Sequence, residues 1–371
     1  MKGRVLLAVA AALVTGSVLE AASRLLGLDI AGQERALARW PIFYRKPRVP
    51  VGEAFFARSG PDAWRGQVVR TALRLAGFDD QTWEDEPVVE VRYDADGFRN
   101  PPELRDWTVV VAGDSFVELG HLADAELYTA LLGQRLGGRV KNLGVSFSGP
   151  LAAAFFLSAH GAAPSARQAV LVFYEGNDLA DLAREERELA AVRSGAPRPL
   201  RETVPQSSLL KAGADAWRAL PALLHTRARR LDQNAWFTGT GGRVPVSVAD
   251  CGVEVSRRAR ASLDRALEAY TRAARRQGMA PFVAYMPCKV HALIGRLTDL
   301  AGAPIRPASG PLPRLVAEAS ERHGAKFVDL GPALRAEAGA GHLTYSGVFD
   351  THLNARGSAV VARVLAEALS E

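Results

Sequence analysis

Five short apolar runs, closed by turns and separated by helical patterns, constrain this chain more than any other feature. They are Thr108 to Ala112, Val140 to Gly144, Ala169 to Tyr174, Pro281 to Met286 and Lys326 to Asp329. Helical periodicity covers about Leu127 to Leu136, Leu151 to Leu157, Ser256 to Gln277, Leu312 to His323 and Ala355 to Leu369, with Asn354 placed to cap the last. Strands alternating with helices at this spacing predict an α/β fold: a parallel sheet with helices on both faces. Loops leaving successive parallel strands open on one edge of such a sheet, and chemistry gathers there. Ahead of the first run, Val88 to Tyr93 alternates like a strand and Asp96-Gly97 turns the chain. The rhythm breaks from Leu179 to Asp250, where Pro197, Pro199, Pro205, Pro221 and a turn from Gly239 to Gly242 read as an insertion, either a wall or lid beside the edge or a spacer.

With 371 residues, 48% hydrophobic and 23% charged, the chain can bury a sizeable core, which excludes a disordered protein. The net charge of +6 owes much to arginines between Arg193 and Arg276. No nucleic-acid motif and no aromatic-basic interleaving accompanies them, so they read as a solvated face or, alternatively, a surface for an anionic partner such as lipid headgroups or acidic glycan. Two cysteines, Cys251 and Cys288, cannot make a four-ligand zinc site or a Cys-x-x-Cys pair. They leave open one disulfide or two buried thiols. At the N-terminus Lys2 and Arg4 precede fifteen uncharged residues, Val5 to Leu19. Residues 1–28 are therefore expected to form an uncleaved signal anchor, with everything after them outside the cytoplasm. Residues 29–87, aromatic but aperiodic, are expected to form a partly ordered membrane-proximal segment, and 88–371 the main domain.

The first run ends in Gly113-Asp114-Ser115-Phe116, which places a serine at a strand's carboxyl end. These are also ordinary turn residues. A serine hydroxyl becomes a nucleophile only when a base takes its proton, and the usual base is a histidine oriented by a carboxylate. Asp350 and His352, two apart ahead of the last helix, can supply that pair, because alternate residues of an extended segment point the same way. An oxyanion needs donors. Ser115's own N–H, the Asn177 amide after the third run, and a backbone N–H from the loop Asn142 to Pro150 can provide them.

In this order Gly113-Asp114-Ser115-Phe116, Gly176-Asn177-Asp178 and Asp350-Thr351-His352 resemble the sequence blocks of the SGNH hydrolases, also called GDSL-type esterases and lipases. The N-terminal apolar segment, Asp96-Gly97-Phe98-Arg99 and Asn142 to Ser146 are similar to membrane-anchored bacterial members. The resemblance spans about Val88 to the C-terminus. It implies a three-layer, flavodoxin-like sandwich around a parallel sheet of about five strands. It also implies a serine ester hydrolase working through a Ser115 acyl-enzyme, with Asp350 and His352 as acid and base, on an acylated small molecule, lipid or glycan. Neither metal nor organic cofactor is required. In the block that usually supplies a glycine N–H, Phe147 stands where glycine is expected and Gly149 follows two residues later, so both are candidates beside Asn177 for the oxyanion hole. One residue, where many members have two, separates Asp350 from His352. An O-acyltransferase modifying a cell-envelope polysaccharide is the chemical alternative, and a non-catalytic glycan- or lipid-binding module the other; an α/β-hydrolase is disfavoured by the missing Gly-x-Ser-x-Gly elbow.

Overall fold

A computed structural model describes residues 14, 15, 18, 48–58, 60–67, 88–195, 233–248, 251, 255–307, 310–347 and 351–371. The chain opens with a hairpin of β1 (Arg48–Val51) and β2 (Phe55–Arg58), then β3 (Asp62–Gln67) pairs antiparallel with β4 (Val88–Tyr93). The α/β alternation follows: β5 (Val109–Gly113), α1 (Ser115–Glu118), α2 (Tyr128–Leu136), β6 (Val140–Gly144), α3 (Pro150–His160), β7 (Gln168–Tyr174) and α4 (Asp178–Arg193). A second hairpin, β8 (Gln233–Gly239) and β9 (Gly242–Val248), precedes α5 (Arg257–Arg276), β10 (Ala280–Met286) and α6 (Lys289–Ala292). The chain ends through β11 (Leu297–Asp299), α7 (Leu312–Arg322), β12 (Lys326–Asp329), α8 (Gly331–Gly339) and α9 (Ala355–Ser370).

The five expected strands form one sheet in the order β12-β10-β7-β5-β6, every pairing parallel. Numbered by their place along the chain this is 2-1-3-4-5, the flavodoxin-like order. Alternate residues of the strands serve opposite layers, as a two-residue period requires. Val109, Val111, Val170, Val172 and Ala284 pack with Leu132, Leu334, Val361 and Leu365 of α2, α8 and α9. Val110, Ala112, Leu171 and Val283 pack with Phe156, Leu267, Tyr270 and Val316 of α3, α5 and α7. In α5 the buried positions Leu263, Ala266, Leu267, Tyr270 and Ala274 follow the i, i+3, i+4 rhythm of one face, and Ser256 caps the helix by accepting the Ala259 N–H at 3.1 Å. Because β6 and β7 lie on opposite sides of β5, the loops after β5 and β7 diverge. That leaves a crevice at their carboxyl ends, the topological switch point of the sheet.

Two regions depart from the sequence expectation. Part of the stretch assigned to a membrane-proximal segment forms β1 to β3, and Arg58 at the end of β2 is buried against Glu118 of α1. The expected insertion begins with a 16-residue helix, α4, whose Glu186 accepts hydrogen bonds from Ser262 and Arg265 of α5. It ends in the β8–β9 hairpin, against which β11 pairs. Cys251 and Cys288 form a disulfide that ties the chain after this hairpin to the end of β10. Among the described residues no helix is long and apolar enough to cross a membrane. The expected anchor, apart from Val14, Thr15 and Val18, lies outside the described residues.

Candidate active site

Ser115 is the first residue of α1, one residue beyond the end of β5. Asp114 makes the turn possible by accepting the Phe116 N–H at 2.8 Å. The turn is held from two directions. Asn142, in β6, donates from Nδ2 to the Val117 carbonyl at 2.8 Å and accepts the Gly144 N–H at 2.8 Å. Gly144 lets α1 come that close, since a Cβ there would lie 2.4 Å from the Glu118 nitrogen. Arg99, fully buried, donates to the carbonyls of Glu118 (3.1 Å), Leu119 and Leu122 and pairs with Asp124 at 3.2 Å. The Asp96-Gly97-Phe98-Arg99 lead-in thus acts as a clamp on the nucleophile turn.

From 237 residues away, His352 brings its Nε2 to 2.7 Å from Ser115 Oγ. The ring lies against Phe116, with centroids 4.6 Å apart, and Phe116 stacks in turn on Tyr174. The backbone around His352 is pinned: its carbonyl accepts from Ser346 N–H at 2.8 Å, and the Leu353 carbonyl accepts from His121 Nε2 at 2.8 Å. Asn354 caps α9 by accepting the Gly357 N–H at 3.0 Å, so the base sits two residues ahead of a fixed helix start. Asp350 lies outside the described residues.

Asn177 comes from the switch-point neighbour β7 and stands just ahead of α4. Its Nδ2 donates to Asp181 Oδ2 at 2.7 Å and, more loosely, to Asp114 Oδ2 at 3.2 Å. The structure therefore joins Ser115, through its neighbour Asp114, to both His352 and Asn177. Gly149 is placed differently from the expectation. Its N–H donates to Glu185 Oε1 at 2.6 Å, so this donor is committed to a buried carboxyl group on α4 and not to an oxyanion. Phe147 turns its carbonyl to Arg184 Nη2 at 2.7 Å, and its φ of 65° lies in the left-handed region, where a Cβ costs roughly 1–2 kcal/mol.

Two sets of carboxyl groups surround this geometry. Burial would raise Glu118, but the Arg58 guanidinium, with hydrogen bonds from Arg58, Ser146 and Tyr93, outweighs it and holds the group at about 2. On the Asn177 side burial wins. Asp114 is pushed to about 6 against the pull of the Phe116 N–H, His352 and Asn177. Glu185 is pushed to about 7 despite the Gly149 and Leu151 N–H donors. Asp178 is raised well above its ordinary value by burial and by neighbouring Asp114. Sequence reading missed Arg58, Glu118, His121, Asp181, Arg184 and Glu185. For the α4 residues a signal existed: Asn177, Asp181 and Glu185 recur every four positions and so share one helix face.

Glu175, Cys288 and His291 could offer metal-ligand atoms, all within 4.8 Å of one another, but the Cys288 sulfur is already bonded to Cys251. What remains there is an ion pair, His291 Nδ1 to Glu175 Oε2 at 2.8 Å, which braces the ends of β7 and β10. The class these features define is a parallel α/β protein with a serine–histidine pair at the switch point of its sheet.

Neither a family model nor a curated protein sequence matches the chain. Solved structures to which it is similar include a member of the lipolytic G-D-S-L family from Veillonella parvula, at 12% identity over 71% of this chain and 98% of that one with a TM-score of 0.37. Another is phospholipase A1 from Streptomyces albidoflavus, at 16% identity over 71% and 99%, TM-score 0.37. A third is a carbohydrate esterase family 2 enzyme with its carbohydrate-binding domain from Corynascus thermopiles, at 14% identity over 76% and 70%, TM-score 0.36. With TM-scores this low the likenesses carry no argument about chemistry, which rests on the chain's own site.

Proposed function

We propose that this chain is a serine ester hydrolase that works through an acyl-enzyme on Ser115. The observation that carries the reading is the 2.7 Å approach of His352 Nε2 to Ser115 Oγ at the sheet's switch point. Neutral His352 accepts the Oγ proton as Oγ attacks the ester carbonyl carbon, and the imidazolium then passes that proton to the departing alcohol oxygen. The acyl group stays on Ser115 until the same Nε2 deprotonates a water, whose attack releases the acid and restores the serine. Asp350 would orient the imidazole through Nδ1. The developing oxyanion would draw on the Ser115 N–H and on Asn177, whose looser 3.2 Å bond to Asp114 is the one to exchange.

The test is fluorophosphonate labelling and p-nitrophenyl acetate turnover by the full chain beside Ser115→Ala and His352→Ala. Labelling is expected to vanish in Ser115→Ala, and kcat to fall by about 10^4-fold or more in either variant. A folded wild-type chain that neither labels nor turns over removes this reading. The disulfide and the N-terminal apolar run together favour placing the domain outside the cytoplasm, held to the membrane by residues 1–28. Release of the whole chain by alkaline carbonate from cell membranes would contradict that placement.

A further inference from the structure

Phe147 carries two unfavourable features at once. Its backbone is left-handed at φ 65°, and its ring is 55% exposed although it is flanked by buried residues of the same loop. Neither arises from slack in the chain, because every neighbour is fixed. The Val145 N–H donates to the Gly113 carbonyl at 3.1 Å, Ser146 donates twice to Glu118 Oε2 at 2.6 Å, and the Ser148 N–H donates to the Val145 carbonyl at 3.1 Å. Arg184 holds the Phe147 carbonyl and also pairs with Asp181, the carboxylate that accepts from Asn177. Phe147 is thus tied on one side to the helix that starts with Ser115 and on the other to Asn177. A strained, exposed apolar residue on a rigid loop next to reacting groups points to use by a ligand.

We infer that the Phe147 ring is a substrate-contacting specificity residue, a platform for the C–H face of a sugar ring whose hydroxyl group carries the acyl ester. This rests on the reading of Ser115 as nucleophile. The surroundings of the ring select the sugar. Ser146, Ser148 and Arg184 flank it, whereas an acyl chain needs a run of apolar neighbours. A pyranose needs one apolar face and polar groups for its hydroxyls, which is what this loop presents.

The experiment compares the full-length wild type with Phe147→Gly and Phe147→Asn, both suited to a left-handed backbone, and with Phe147→Tyr, which restores a ring. Substrates are methyl 6-O-acetyl-glucoside, ethyl acetate and p-nitrophenyl hexanoate. Loss of the ring is expected to raise KM for the acetylated glucoside about five- to tenfold with kcat nearly unchanged, to leave ethyl acetate unaffected, and to be reversed by Phe147→Tyr. An unchanged KM for the glucoside, an equal loss on ethyl acetate, or a loss greatest on the hexanoate overturns the inference while leaving Ser115 as nucleophile. A wild type that labels with fluorophosphonate on Ser115 but hydrolyses only the two sugar-free esters overturns it as well. A wild type that neither labels nor hydrolyses any of the three removes the nucleophile reading, and this inference with it.

Discussion

On one side of Ser115 the buried Glu118 faces the Arg58 guanidinium at 3.0 Å, with Tyr93 and Ser146 completing its shell. On the other side, Asp114, Asp178 and Glu185 are buried with amide and backbone N–H donors around them, and the one arginine among them, Arg184, pairs with Asp181. The burial is alike and the outcome opposite: Glu118 titrates at about 2, Glu185 at about 7. Neutral donors stabilise a carboxylate by hydrogen bonding alone, whereas a guanidinium adds a full opposite charge in a medium where charge is weakly screened. One flank of the nucleophile is therefore permanently ionised, and the other takes up protons near neutrality.

The sharpest way to break this contrast is to remove the cation. Arg58→Ala leaves Glu118 buried without its counter-charge, and stability at pH 7 should fall by about 3 kcal/mol, the low end for breaking a buried pair because Tyr93 and Ser146 still donate. Glu118 has a folded pKa below its unfolded value, so its contribution is fully present above about 4.5 and is lost as pH falls through about 2. The deficit of Arg58→Ala should accordingly shrink in strong acid. Denaturant midpoints across pH read both points. A variant as stable as wild type at pH 7 would show that the pair holds nothing together.

Glu185→Gln probes the opposite flank and should act with the opposite sign. The folded group titrates at about 7 and the unfolded one near 4.5, so the native state holds an extra proton between these values and wild-type stability declines as pH rises through that window. The gap corresponds to roughly 3 kcal/mol at most. Glutamine gives back part of it, since its amide cannot replace the oxygen that accepts the Leu151 N–H. The variant should therefore equal wild type near pH 4 and exceed it by about 1–2 kcal/mol at pH 8. Asp114 and Asp178 are raised too, so some decline with pH should persist in the variant. Parallel pH profiles for the two proteins would place the proton elsewhere.

The two flanks differ as well in how far the sequence shows them. The five sheet strands, the caps at Ser256 and Asn354, and the loops bearing Ser115, Asn177 and His352 are legible because each is written locally, as a β-branched run, a turn residue or a capping residue. What gives the flanks their charge states is not local. Arg58 meets Glu118 across 60 positions, from a strand in a stretch without periodicity. Asp181 and Glu185 lie in a helix whose charged run, Arg184 to Glu188, reads as a solvated face, and its burial follows from the β6 loop and α5 packing over it. The commitment of the Gly149 N–H to Glu185 follows from the same packing and cannot be read from the loop alone.

Phe147 sits at the seam, since its loop is tied to Glu118 through Ser146 and to Glu185 through Gly149. If both ties fix the backbone, the left-handed conformation belongs to the loop and survives a change of side chain. Phe147→Gly then relieves the Cβ clash of roughly 1–2 kcal/mol and forfeits the roughly 0.5–1 kcal/mol that glycine loses in chain entropy, for a net gain of about 0.5 kcal/mol. The change at Leu119, also left-handed at φ 41° but fully buried, should instead destabilise, because a core side chain is lost with the strain. Thermal unfolding of both variants decides the matter. A loss of stability in Phe147→Gly would mean that the ring itself holds the seam together, and the loop would owe its shape to Phe147 and not to the two glutamates.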